Sequence, residues 1–83
     1  MGHLGAAERE LVAIGAAIGS NCIPCVDYHI KAAKKIGVTD DQIREAIEFA
    51  DQVKQAPANK ILEFAYALVP PDEEKLVPPG EEK

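Results

Sequence analysis

Apolar residues in this chain recur every three or four positions, and no stretch alternates apolar and polar as a half-buried strand does. That period predicts an all-α fold, a compact bundle of about four helices. A first helix is expected from about Ala6 to Ile18, with Leu11, Ile14 and Ile18 on one face. Gly19-Ser20-Asn21 then stops it. A second is expected from near Cys22 to Gly37, with Pro24 in its first turn, where the missing N–H costs little. Ile23, Val26, Ile30 and Ala33 form its apolar stripe, with Asp27, Lys31, Lys34 and Lys35 on the wet side. Thr39-Asp40-Asp41-Gln42 reads as a capping box for a third helix, running to about Gln55 and burying Ile43, Ala46, Ile47, Ala50 and Val53. Ala56-Pro57 is expected to break that helix. Pro57 then opens a fourth, with Ile61, Leu62, Phe64, Ala65 and Leu68 on its apolar side and Pro70-Pro71 at its end.

The pattern divides the chain into a helical domain, residues 1–69, and a tail, residues 70–83. The tail nearly repeats Val69-Pro-Pro-Asp-Glu-Glu-Lys75 as Val77-Pro-Pro-Gly-Glu-Glu-Lys83. With few side chains to bury, it reads as extended or disordered, and the domain is expected to fold without it. A chain of 83 residues without Trp and with only 2 Phe and 2 Tyr builds a thin core, so assembly with further copies is the expected supplement. The net charge of −5 repels phosphate backbones and anionic lipid, which argues against nucleic acid and membrane surfaces as partners. No apolar run approaches the roughly 20 residues that span a bilayer. Met1-Gly2-His3-Leu4 lacks the basic and apolar segments of a signal peptide, so the cytoplasm is the expected compartment.

In a reducing compartment, a close cysteine pair reads as redox or metal chemistry. Cys22 and Cys25 are three residues apart at a predicted helix start, which brings both sulfurs to one side. A free thiol has a pKa of about 8.5, and only its thiolate is a good nucleophile. The unpaired N–H groups and dipole of a helix N-terminus favour that anion. His29 lies one turn beyond Cys25, where it can take a proton from that thiol and then stabilise the thiolate. This makes Cys25 the expected more acidic thiol, with Cys22 nearer solvent. Glu10 can orient the imidazole if the first helix packs beside the second, although spacing alone does not place it.

Rival readings use the same residues. Cys22, Cys25, His29 and Glu10 could supply four zinc ligands, although the second cysteine pair usual in such sites is absent. Haem attachment needs His directly after the second Cys, and Val26 stands there. A thioredoxin needs strands around its pair. Alone, His29 reads as a structural histidine and Glu10 as a solvated helix residue. Together with the thiols they favour redox chemistry that needs no bound cofactor or metal.

The order Glu10, Cys22, Cys25, His29, set in Gly19-Ser-Asn-Cys-Ile-Pro-Cys-Val-Asp-Tyr-His29 and followed by Ile36-Gly37-Val38 and Thr39-Asp-Asp-Gln-Ile-Arg-Glu-Ala46, resembles the carboxymuconolactone decarboxylase and alkylhydroperoxidase D family in its peroxidase-like branch. The resemblance covers about residues 8 to 69. It implies an all-helical fold assembled into trimers or hexamers. It also implies roles: Cys25 peroxidatic, Cys22 resolving, His29 the base and Glu10 its partner. The implied substrate is a hydroperoxide, and the implied electron donor is lipoyl or thioredoxin-like. Pro24 stands where some family peroxidases carry a second histidine. The family's lactone decarboxylases lack the cysteine pair, so their activity is not expected. A thiol-dependent peroxidase acting through a Cys22–Cys25 disulfide is therefore the first expectation. The rivals are a disulfide oxidoreductase or reductant carrier, and a non-catalytic helical oligomer.

Overall fold

The computed structural model describes residues 2–72. Those residues form α1 (Ala6–Gly19), α2 (Ile23–Lys35) and α3 (Asp40–Leu68), with no strand among them. The all-α expectation holds, with three helices in place of four. Residues 73–83 of the proposed tail lie outside the described part, and Pro70–Asp72 are not helical.

The helix α1 is the platform. Both other helices pack on it, while α2 and α3 barely meet. Ile14 is completely buried and packs with Ala33, Val38 and Ile43, flanked by half-buried Leu11, Ile18 and Ile30. Each helix thus contributes a side chain or two to one small core, as the aromatic-poor composition implies. Two local devices set the packing angle. At the end of α2, Val38 N–H reaches the Ala33 carbonyl (3.0 Å) and Gly37 N–H the Lys34 carbonyl (3.1 Å), closing the helix through a left-handed residue. Gly37 has a φ of 95°, which strains any residue with a Cβ. The turn drops Val38 into the core. At the start of α3, the Thr39 hydroxyl accepts the Gln42 N–H (3.1 Å), and the Gln42 side chain accepts the Thr39 N–H (2.9 Å), completing the expected capping box.

The expected break at Pro57 does not occur: α3 runs through it for 29 residues. A proline inside a helix loses one hydrogen bond and crowds the preceding turn. Here Lys54-Gln55-Ala56 and Ala58-Asn59-Lys60 flank it, mostly strong helix formers that carry the helix through. The burial pattern differs as well. Ala46 and Ala50 are half-buried, but Ile47 is at the edge of exposure and Val53 is 60% exposed. Ile23 of α2, expected in a buried stripe, is 82% exposed. Helix length explains the exposure further along α3. At about 1.5 Å per residue, α1 is about 21 Å long and α3 about 43 Å, so beyond Lys54, which still reaches the end of α1, the longer helix outruns its platform. Ile61, Leu62, Phe64 and Leu68 consequently lie exposed along its far half.

Because Pro57 lies inside α3, Pro57→Ala should restore the missing hydrogen bond and stabilise the helix, by up to about 3 kcal/mol. Thermal melts followed by circular dichroism should show a higher Tm. A lower Tm would mean that Pro57 initiates a separate helix.

Candidate functional site

Cys22 lies at the joint between α1 and α2. Its N–H donates to the Ala17 carbonyl (3.0 Å), and the Asn21 N–H donates to the Ile18 carbonyl (3.1 Å). Together these bonds satisfy the last carbonyls of α1, in a pattern that requires a left-handed residue. Asn21 provides it with a φ of 60°; asparagine adopts this conformation more readily than any other residue type except glycine. From Cys22 onward the chain starts α2. The Cys22 carbonyl accepts the Val26 N–H (3.0 Å), and its Sγ accepts the Cys25 N–H (3.3 Å), taking the place of an N-cap hydroxyl. Pro24 falls in the first turn, where no hydrogen bond is lost.

Cys22 and Cys25 are joined as a disulfide, with their Cα atoms 5.2 Å apart. The pair is therefore placed for reversible two-electron chemistry, with the positive end of the α2 dipole behind it. His29 stands one turn further along the same helix. Its Nδ1 lies 2.8 Å from Glu10 Oε1, with the two side chains 31% and 24% exposed. Spacing could not place Glu10; the packing of α1 against α2 does. A carboxylate oxygen only accepts, so this bond requires the proton on Nδ1 and leaves Nε2 as the basic nitrogen in the neutral ring.

Two neighbours escaped the sequence reading. Tyr28 sets its ring edge-to-face against His29, with centroids 4.9 Å apart at 88°. Adjacency in sequence was the only available signal, and adjacent helical residues usually diverge. Lys54 reaches from α3 to the joint, donating from Nζ to the Ile18 carbonyl (3.1 Å) and to Asn21 Oδ1. No local pattern could reveal a contact more than 30 residues away in the chain. Lys54 thus ties the third helix to the turn that presents Cys22. Among the described residues, no group of three or more His, Cys, Asp or Glu side chains is arranged to hold a metal ion. No helix among them is long and apolar enough to cross a membrane.

Residues 1–67 match the model of the carboxymuconolactone decarboxylase family. The chain is 35% identical over 65 residues to "Uncharacterized protein 4 in cox locus" of Paracoccus denitrificans, an alignment that covers 74% of this chain. It spans 59% of that relative's length. No solved structure matches. The chain belongs to the carboxymuconolactone decarboxylase family.

Proposed function

We propose that this protein is a thiol-dependent peroxidase that reduces a hydroperoxide to an alcohol and water while its two thiols become the Cys22–Cys25 disulfide. The observation that carries this reading is the His29–Glu10 hydrogen bond, one turn beyond a cysteine pair that closes on itself. Membership of a family that includes alkylhydroperoxidase-like proteins supports it.

In the proposed cycle, His29 takes the Cys25 proton at Nε2 while Glu10 holds the ring through Nδ1–H. The Cys25 thiolate attacks the terminal peroxide oxygen, the O–O bond breaks, and the alkoxide leaves with a proton as alcohol. Cys25 is then a sulfenic acid. The Cys22 thiolate attacks its sulfur, and hydroxide leaves with a proton as water. A two-electron thiol donor, lipoyl or thioredoxin-like as the family resemblance implies, returns the disulfide to two thiols.

One observation favours a second reading, disulfide exchange without peroxide chemistry. Cys22 Sγ, the sulfur that accepts a helix N-terminal N–H, also borders an open groove. Both features suit a sulfur that trades bonds with an incoming thiol.

Trapping distinguishes the readings. Cys22→Ser should leave a sulfenic acid on Cys25 that dimedone captures and excess peroxide drives to sulfinic acid. Cys25→Ser should give little capture. In the Cys22→Ser background, Glu10→Gln and His29→Ala should each slow capture, by up to the roughly 10²–10⁴-fold that general-base help supplies. Capture at Cys22 but not Cys25 reverses the two roles. No capture at either cysteine, with exchange toward a lipoyl disulfide intact, selects the second reading.

We also propose that the protein works as a homo-oligomer, a trimer or hexamer. The far half of α3 exposes Ile61, Leu62, Phe64 and Leu68, a cluster of large apolar side chains of the kind that marks an interaction surface. Light scattering at micromolar concentration should show an assembled species, and Ile61→Asp with Phe64→Asp should dissociate it. A monomeric parent protein contradicts this proposal.

A further inference from the structure

The groove beside Cys22 has a volume of 670 Å³, within the range that holds small organic ligands. Ile18, Ile23, Val26 and Ile30 give it an apolar floor. Cys22 lies on its wall, and Lys31, Lys34 and Lys54 border it. Those three account for a third of the nine Lys and Arg residues in a chain of net charge −5. Asp27 is the only acidic residue lining the groove among the described residues.

The three ammonium groups are not equally committed. Lys31 is paired with Asp27 at 3.0 Å. Lys54 gives two of its three N–H donors to the neutral oxygens of Ile18 and Asn21, so its charge is not cancelled and one donor is left. Lys34 makes a long 3.7 Å contact with Asp40 outside the groove lining, and its side chain is 56% exposed. Positive charge is therefore in excess here, above an apolar floor. A neutral oily substrate has no use for the lysines, and a small inorganic anion has no use for the isoleucines.

We infer that the groove binds an organic acid with an apolar chain, its carboxylate toward Lys34 at one end and its chain along Ile30, Val26, Ile23 and Ile18 toward Cys22 and Lys54 at the other. The groove lining includes Cys22 but not Cys25, His29 or Glu10, so the acid lies beside the sulfur that the peroxidase reading makes the resolving one, and the groove is a binding site separate from the point of peroxide attack. The carboxylate stays unreacted and serves to hold and orient the chain.

The test uses unreactive ligands and the full-length oxidised protein, so binding is read apart from turnover. Isothermal titration should show octanoate binding at one site per chain. 1-Octanol, which keeps the chain but lacks the charge, should bind at least about tenfold more weakly, and so should butyrate, which keeps the charge but lacks the chain. Lys34→Gln should weaken octanoate about tenfold and Lys34→Arg should restore it; Lys34 is exposed and takes no part in the core. In reduced protein, octanoate should also slow alkylation of Cys22. Equal binding of octanol and octanoate, or unchanged binding in Lys34→Gln, would overturn the inference. So would octanoate binding that appears only when the oligomer is diluted to monomer, because a second copy then fills the groove. Octanoate binding without peroxide turnover upholds the groove and removes the peroxidase reading. Turnover without octanoate binding does the reverse.

Discussion

Three hydrogen bonds made by Cys22 hold the site together. Its N–H closes α1 on the Ala17 carbonyl, its carbonyl opens α2 through Val26, and its sulfur caps the Cys25 N–H. A residue shared in this way by two helices cannot shift without fraying both. The geometry depends on Asn21 accepting a left-handed backbone, and the Asn21 side chain is tied in turn to Lys54 of α3. The cysteine pair is thus anchored by all three helices, although α2 and α3 barely touch elsewhere. A thiol at this joint also lies where unpaired N–H groups and the helix dipole favour negative charge.

The platform helix explains the second half of the site. Ile14 and Ala17 on α1 are buried among residues of the packed helices, which fixes the approach of α2. Glu10, one turn before Ile14, is thereby brought to His29. A small core can achieve this because few contacts are needed to set the angle between short helices. The same shortness leaves the far half of α3 without a packing partner among the described residues. Economy of core and exposure of α3 are two consequences of one length mismatch between a 14-residue and a 29-residue helix.

Much of this was legible in the sequence, because its signals are local. The capping box at Thr39, the stop at Gly19-Ser20-Asn21 and Pro24 in the first turn of α2 all act within four residues, and each appears as expected. Cys25 and His29 lie on one helix that Cys22 caps, so spacing alone set them one turn apart along it. What failed depends on distant partners. Whether Val53 and Ile23 are buried is decided by what packs against them, which periodicity does not contain. Pro57 was read as a break because proline usually ends a helix; continuity came from the helix formers on either side. Lys54 at the Cys22 joint had no local signature at all.

The central claim is that the two thiols, and no other group, take up the oxidising equivalents of a hydroperoxide. Its most direct measurement mixes fully reduced protein with one equivalent of an alkyl hydroperoxide and follows intact mass and alcohol together. The account predicts the loss of two hydrogens per chain, a disulfide mapped to Cys22 and Cys25, and one alcohol formed per disulfide. Peroxide consumed with a gain of oxygen on Met1, or alcohol absent while the thiols remain reduced, would contradict it.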